Sequence, residues 1–269
     1  MPDGKQFCGP SGIQPKQIIV ELRLTYVLAA IRNWRNTMNF VRTVPLAIGM
    51  LFAAEGHSAE TSASPAVGDF TLSGVSLEQS SYKGEQAFRM AMPSEAIQDP
   101  QKEKLSDRDF MAWLPLDFGD GVIEIEVASE LVENAPAYAR GFIGLTFRID
   151  KDGRFESIYL RPTNSTADDQ VRRNHSVQYV AYPDYRFDRL RQESAEKYES
   201  YAELDLGRWI YMKVLVSGER AELYLDGNER PALIVSDLKL GTGQRGGVGV
   251  WLESGTLAYF RNLKVTPAS

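Results

Sequence analysis

With 269 residues, 43% apolar and 25% charged, the chain lies in the ordinary globular range, which excludes a disordered or fibrous protein and leaves enough apolar surface for a sizeable core. A single cysteine, Cys8, excludes an intrachain disulfide framework, and a formal net charge of −6 disfavours nucleic acid and anionic membranes as partners. All-β sandwiches of roughly 200 to 250 residues are common as one unit, so a single folded domain is expected.

The N-terminal region reads as targeting rather than structure. From Met38 the sequence gives a short n-region with Arg42, an apolar run from Val44 to Ala54, and the small residues Ser58 and Ala59, the pattern of a secretory signal cleaved near Ala59. The run is about half of the roughly 20 residues a spanning helix requires, so no membrane span is expected after cleavage. Residues 1–59 are thus assigned to an upstream extension plus a signal peptide starting at Met38, and the domain to the periplasm or the exterior. An amphipathic leader over Gln17 to Ile31, interrupted by Glu21, Arg23 and Thr25, is the alternative for the extension. Removing residues 1–59 also removes Cys8 and leaves 24 basic and 33 acidic residues, a net charge of −9. That balance counts against polyanionic glycans unless the basic residues cluster locally.

Residues 60–67 (ETSASPAV) form a small-residue linker, and residues 68–269 are assigned to the folded domain. Glu85 to Met92 alternates Phe88, Met90 and Met92 against Arg89, and Val122 to Val127 alternates Ile123, Ile125 and Val127 against Glu124 and Glu126. Such period-2 patterning predicts strands with one dry and one wet face. Trp209 to Val216 and Ala221 to Leu225 predict a hairpin across Ser217 to Arg220, and Asp226-Gly227 supplies a further turn that requires φ > 0. The one helix-leaning stretch is Leu190 to Glu199. Together these predict an all-β fold, a two-sheet antiparallel jelly-roll sandwich.

Three strands suggest a binding face. Phe142 to Ile149 sets Ile143, Leu145, Phe147 and Ile149 against Phe142, Gly144, Thr146 and Arg148; Glu156 to Arg161 sets Ile158 and Leu160 against Ser157, Tyr159 and Arg161. Gly247 to Glu253 sets Val248, Val250 and Leu252 against Gly247, Gly249, Trp251 and Glu253. Outward Tyr and Trp beside Arg and Glu suit a saccharide, because a ring covers the C–H face of a pyranose and planar polar groups pair with its hydroxyls. The glycines are expected to keep a groove open. The segment Arg161 to Arg191 then concentrates Asn164, Asp168, Asp169, Gln170, Arg172, Arg173, Asn174, His175 and Gln178, which predicts a long functional loop crossing that groove. A salt-bridged loop that only holds its own shape is the structural alternative.

The spans GFIGLTFRID, FESIYLRPTN, ERAELYLDG and GGVGVWLESGTLAYFRNLKV resemble concanavalin A-like lectin/glucanase domains, and more narrowly laminin G-like and 3-keto-disaccharide hydrolase-like domains of exported bacterial proteins. The resemblance runs from about Asp69 to Thr266 and implies a jelly roll that recognises or acts on a poly- or oligosaccharide. It departs from the glucanases of that superfamily, whose Glu-x-Asp-x-x-Glu strand is replaced here by Glu156-Ser-Ile-Tyr-Leu-Arg161. Glu124, Glu126 and Glu130 lie one strand too early to stand in for it, so paired-carboxylate hydrolysis is not expected. The ligand-binding candidates are Arg148, Tyr159, Arg161, Asn164, Arg173, Asn174, Gln178 and Trp251; His175, Asp169 and Glu253 are the acid–base candidates if a glycosidic bond is cleaved by hydrolysis or elimination. An envelope protein-interaction module is the third reading. No cofactor is expected; a structural Ca²⁺ would suit such a sandwich, but no ligand set is specific enough to name.

Overall fold

The computed structural model describes residues 64–268; the expected extension and signal peptide, with the first half of the linker, lie outside them. Among the described residues two seven-stranded sheets form, antiparallel at every pairing. One runs β1 (Thr71–Ser73), β4 (Met111–Phe118), β13 (Gly246–Leu252), β6 (Ile143–Ile149), β7 (Phe155–Leu160), β8 (Val177–Tyr182) and β9 (Glu199–Ser200). The other runs β12 (Leu233–Val235), β11 (Arg220–Leu225), β10 (Ile210–Ser217), β5 (Gly121–Leu131), β14 (Thr256–Pro267), β3 (Glu85–Ala91) and β2 (Ser76–Tyr82). This is the expected two-sheet antiparallel jelly roll. Short helices α1 (Pro162–Ser165), α2 (Gln170–Asn174) and α3 (Phe187–Glu193) all fall between β7 and β9.

The second sheet behaves as its alternation predicts. Along β10, Ile210, Met212, Val214 and Val216 are buried while Tyr211, Lys213 and Leu215 are partly exposed. These buried side chains join Ile123, Ile125, Leu145, Ile158, Val250 and Leu252 in one core. Each such side chain contributes about 1.5 to 3 kcal/mol on leaving water. Asp226 and Gly227 both take positive φ, as the turn after β11 requires.

The first sheet departs from expectation, because β6 and β7 are buried along their whole length on both faces. Trp251, Gly144, Tyr159 and Gln178 are register partners across β13, β6, β7 and β8, so they do share a face. That face is covered. Trp251 is 1% exposed and Tyr159 0%, which corrects the prediction of an accessible aromatic platform. Above it lies the segment between β3 and β4: the Trp251 indole N–H donates to the Arg108 carbonyl at 2.6 Å, and the Tyr159 hydroxyl donates to Asp107 at 2.9 Å. The glycines serve this packing rather than an open groove. A Cβ at Gly144 would collide with Tyr159, and at Gly247 or Gly249 with Trp113 and the β4 backbone.

The polar segment after Arg161 is likewise not one long loop. It holds α1, α2, strand β8 and α3, and the helix expected at Leu190 to Glu199 begins earlier, at Phe187. Its hydrophilic look misled because Gln178 and Arg161 are buried polar groups, not solvated ones.

Arg148 requires the largest correction, since it does not reach the proposed face at all. The pairing of β13 with β6 shifts between Gly247 and Gly249, and Arg148 adopts φ +56° at that bulge, so its side chain leaves the alternation. It points to one end of the sandwich, donating to the carbonyls of Gly119 (2.9 Å), Gly218 (2.8 Å) and Gly241 (3.2 Å) and to Asp120 (2.9 Å). These acceptors belong to connections of both sheets, so one buried guanidinium satisfies three carbonyls and ties the layers together. Arg148→Met should therefore strand those carbonyls and lower unfolding stability by about 3 kcal/mol, measured by denaturant titration; a loss below about 1 kcal/mol would refute the clasp.

Candidate functional site

Where the covering segment stops short of α1 and α2, a pocket of ≈ 430 Å³ remains. Its base is aromatic. Tyr159 and Phe142 line it, with Phe142 edge-on to the Tyr159 ring at 6.3 Å and to the Trp251 ring at 6.5 Å. Tyr138 and Phe187 add two further rings to the wall, and the exposed Val171 adds an apolar rim.

The polar wall is a chain of paired groups. Asp107 accepts from the Tyr159 hydroxyl at 2.9 Å and from the Phe187 amide at 2.8 Å. Burial pushes its carboxyl up to about 6, against the pull of those bonds and of Arg161. The Tyr159 hydroxyl in turn accepts from Arg161 at 2.8 Å, and Arg161 reaches Glu199 at 3.2 Å. Burial alone would lower the guanidinium's pKa, but Tyr159, Asp107 and Glu199 together hold it above the usual value. Glu199 also takes a two-point contact from Arg191. Burial would raise Glu199, yet the Arg191 bonds and the Arg161 charge hold it below the ordinary carboxylate range.

His175 stands at the edge of this chain, its Nε2 3.5 Å from Glu199. Burial lowers its pKa, partly opposed by Glu199, so the imidazole is neutral at neutral pH. Asn164 is fixed at both ends of its amide, donating to the His175 carbonyl at 2.9 Å and accepting from Arg172 at 2.9 Å.

Six of the ligand-binding and acid–base candidates named from the sequence come together here: Tyr159, Arg161, Asn164, Asp169, His175 and Glu253 all line the pocket. Two of the acid–base candidates are otherwise engaged. Glu253 is held by Arg108 through both carboxylate oxygens and by Ser254, and Asp169 caps α2 by accepting from the Arg172 amide at 2.7 Å. The remaining candidates lie elsewhere. Trp251 supports the base from below, and Gln178 is buried on the carbonyls of Tyr179 and Tyr198. Arg173 lies over the Tyr201 ring, Asn174 pairs with Gln170, and Arg148 is at the end clasp. Of the lining residues not named as candidates from the sequence, Gln98, Asp107, Tyr138 and Arg140 come from stretches with no strand periodicity, while Phe187 and Arg191 lie in the polar segment marked there as functional. Among the described residues no group of three or more His, Cys, Asp or Glu side chains is placed to hold a metal ion, and no helix is long and apolar enough to cross a membrane.

No protein-family model and no curated protein sequence matches the chain. Among solved structures it is similar to the carbohydrate-binding module CBM66 of Bacillus subtilis, at 15% identity over 72% of this chain and 95% of that one, with a TM-score of 0.42. A Bacillus subtilis protein of unknown function with a galectin-like fold gives 14% identity over 74% and 89%, with a TM-score of 0.44. The galectin LEC-6 of Caenorhabditis elegans gives 8% over 60% and 94%, with a TM-score of 0.35. Likenesses this distant say nothing of what the pocket takes, which rests on its own groups.

The Tyr159 hydroxyl is the one link between Asp107 and Arg161, and its removal has a signed pH dependence. Because the folded-state pKa of Asp107 is raised, the folded state binds the extra proton; its contribution is most favourable below about 4 and is lost as pH rises through about 6. Tyr159→Phe removes a donor that the ionised carboxylate needs, so the variant should lose roughly 2 to 3 kcal/mol at pH 8 and distinctly less at pH 4.5. Denaturant unfolding at the two pH values checks this, and an equal loss at both would refute the assignment.

Proposed function

We propose that this protein binds a saccharide in the pocket floored by Tyr159 and Phe142. The observation that carries the reading is the combination of rings and fixed planar polar groups in one concavity. Phe142, Phe187 and Tyr138 are partly exposed, while Asn164, His175 and the surrounding guanidinium groups are positioned by their own hydrogen bonds. Rings of this kind cover the C–H faces of a pyranose, and pre-oriented amide and guanidinium groups meet its hydroxyls with little ordering cost. A volume of ≈ 430 Å³ falls within the range of small-molecule sites, roughly 300 to 1,000 Å³. The reading includes export to the periplasm or beyond, where the leader expected before Ala59 would deliver a domain that meets glycans.

Glycoside cleavage in the same pocket is the second reading, favoured by Asp107. A carboxyl pushed up to about 6 is suited to donating a proton near neutral pH. Both of its oxygens are already occupied by Tyr159 and Phe187, so recognition without cleavage is preferred. A protein-interaction module is less supported, since the six large exposed apolar side chains among the described residues sit on six different elements or loops.

The test is a panel of oligosaccharides scored with the full chain for both retention and product release. Phe142→Ala should weaken retention about 5- to 30-fold, and Val171→Ser, at an exposed position whose change leaves the fold intact, about 2- to 5-fold. Retention of no glycan, or of every glycan equally by both variants, would sink the proposal. Turnover that falls about 100-fold in Asp107→Asn while retention persists would make the enzyme the better reading.

A further inference from the structure

The pocket contains more positive charge than its own carboxylates answer. Arg161 and Arg191 are matched by Glu199, and Arg108, just outside, by Glu253. Arg140 and Arg172 also line the pocket, and among the described residues neither meets a carboxylate with its guanidinium. Arg140 donates only to the carbonyls of Ala137 and Ala139, both at 2.8 Å. Arg172 donates to Asn164 Oδ1 at 2.9 Å and to the Thr163 hydroxyl and carbonyl at 3.2 and 3.3 Å. Both are partly buried.

The two arginines flank one residue. The Thr163 amide donates to the Arg140 carbonyl at 3.3 Å, while its hydroxyl and carbonyl hold the Arg172 guanidinium. Burial and then the charges of Arg172 and Arg161 push the Arg140 pKa down to about 10, which still leaves it cationic at neutral pH. Two like charges lining one pocket and partly out of water are a standing electrostatic cost that an anion between them would relieve. Of the other lining carboxylates, Asp107 is taken up by the Tyr159 hydroxyl and the Phe187 amide, and Asp169 is turned to the Arg172 backbone amide.

From this geometry we infer that the sugar bound here is acidic, its anionic group seated between the side chains of Arg140 and Arg172 while its ring packs on the aromatic base. The inference rests on the saccharide reading and adds the charge of the ligand. Carboxylate and sulfate ester share the chemistry that a guanidinium fork recognises, through paired N–H donors matched to two oxygens.

The experiment uses the full chain and matched probes: oligogalacturonate and oligoglucuronate, their methyl esters, the corresponding neutral hexose oligomers, and galactose 6-sulfate oligomers. Esterification removes the charge and keeps the skeleton. The acids should bind about 10- to 100-fold more tightly than their esters. Arg140→Gln and Arg172→Gln, each shown to melt as wild type does, should erase that preference by weakening retention of the acids about 10- to 100-fold more than that of the esters. A preference for the sulfated oligomers that the same variants erase would support the anion site and assign it to sulfate. Equal binding of acid and ester, or variants that weaken both alike, would overturn the inference and leave the saccharide reading standing. Retention of none of the probes, charged or neutral, would overturn both.

Discussion

The Tyr159 hydroxyl donates to Asp107 and accepts from Arg161, and on those two bonds depends how the outer face of the first sheet is closed. Asp107 belongs to the segment before β4 and also receives the first amide of α3, while Arg161 passes the connection on to Glu199, Arg191 and His175. A lone buried charge costs several kcal/mol, so these groups are tolerable only as a complete set. The covering segment, β7, α3 and β9 are thereby held in one arrangement, and the pocket is the space that arrangement leaves. Its rings and guanidinium groups are consequently placed by the fold itself, which would lower the ordering cost of binding a ligand there.

The two sheets solve different problems. The second keeps a wet outer face, where Glu124, Glu126, Tyr211 and Arg261 pair with one another in reach of solvent. The first carries Tyr159 and Trp251 on its outer face, with ring centroids 4.6 Å apart, and surfaces of that size must be covered. Gly144 leaves room for Tyr159 against the sheet, and Gly249 does the same for Trp113 on β4. Trp251 therefore acts through packing, against the buried Tyr159 ring and edge-on to Phe142, whose partly exposed ring reaches the pocket.

What was legible in the sequence follows from what alternation measures. Period-2 patterning reports that one side of a strand is apolar, and this sufficed for β5, β6, β7, β10 and β13 and for a two-layer β fold. It cannot report whether the other side meets water or a covering loop, because Tyr159 or Trp251 has the same sequence signature in either case. The cover comes from around Asp107, some fifty residues before Tyr159, in a stretch whose charged composition carries no period. Arg148 was misplaced because a bulge shifts direction without any change in composition, and β8 was hidden because Gln178, its second residue, and the Arg and Asn residues before it read as solvated. The dense run from Asn164 to His175 was a sound pointer to the pocket, though as two short helices rather than a loop. The half of the site supplied by Gln98, Asp107, Tyr138 and Arg140 had no such signal.

Charge works at two distances in this molecule. The chain as a whole is acidic, with a net charge of −6, while the pocket interior holds Arg140 and Arg172 without matching carboxylates. At physiological ionic strength fields from exposed charges fade over about 8 Å, so the acidic surface governs the approach of a ligand but not its fate inside. An acidic glycan would gain no long-range steering from such a surface, and its encounter rate would be unremarkable or slow. Inside, water is partly excluded, the Arg172 guanidinium is held by Asn164 and Thr163 and that of Arg140 by the Ala137 and Ala139 carbonyls, so on the proposed reading these charges would act at contact distance and slow dissociation. On the proposed reading the arrangement would discriminate by residence rather than by attraction: the surface would keep polyanions at large off, and an acidic sugar that fits the aromatic base would be retained.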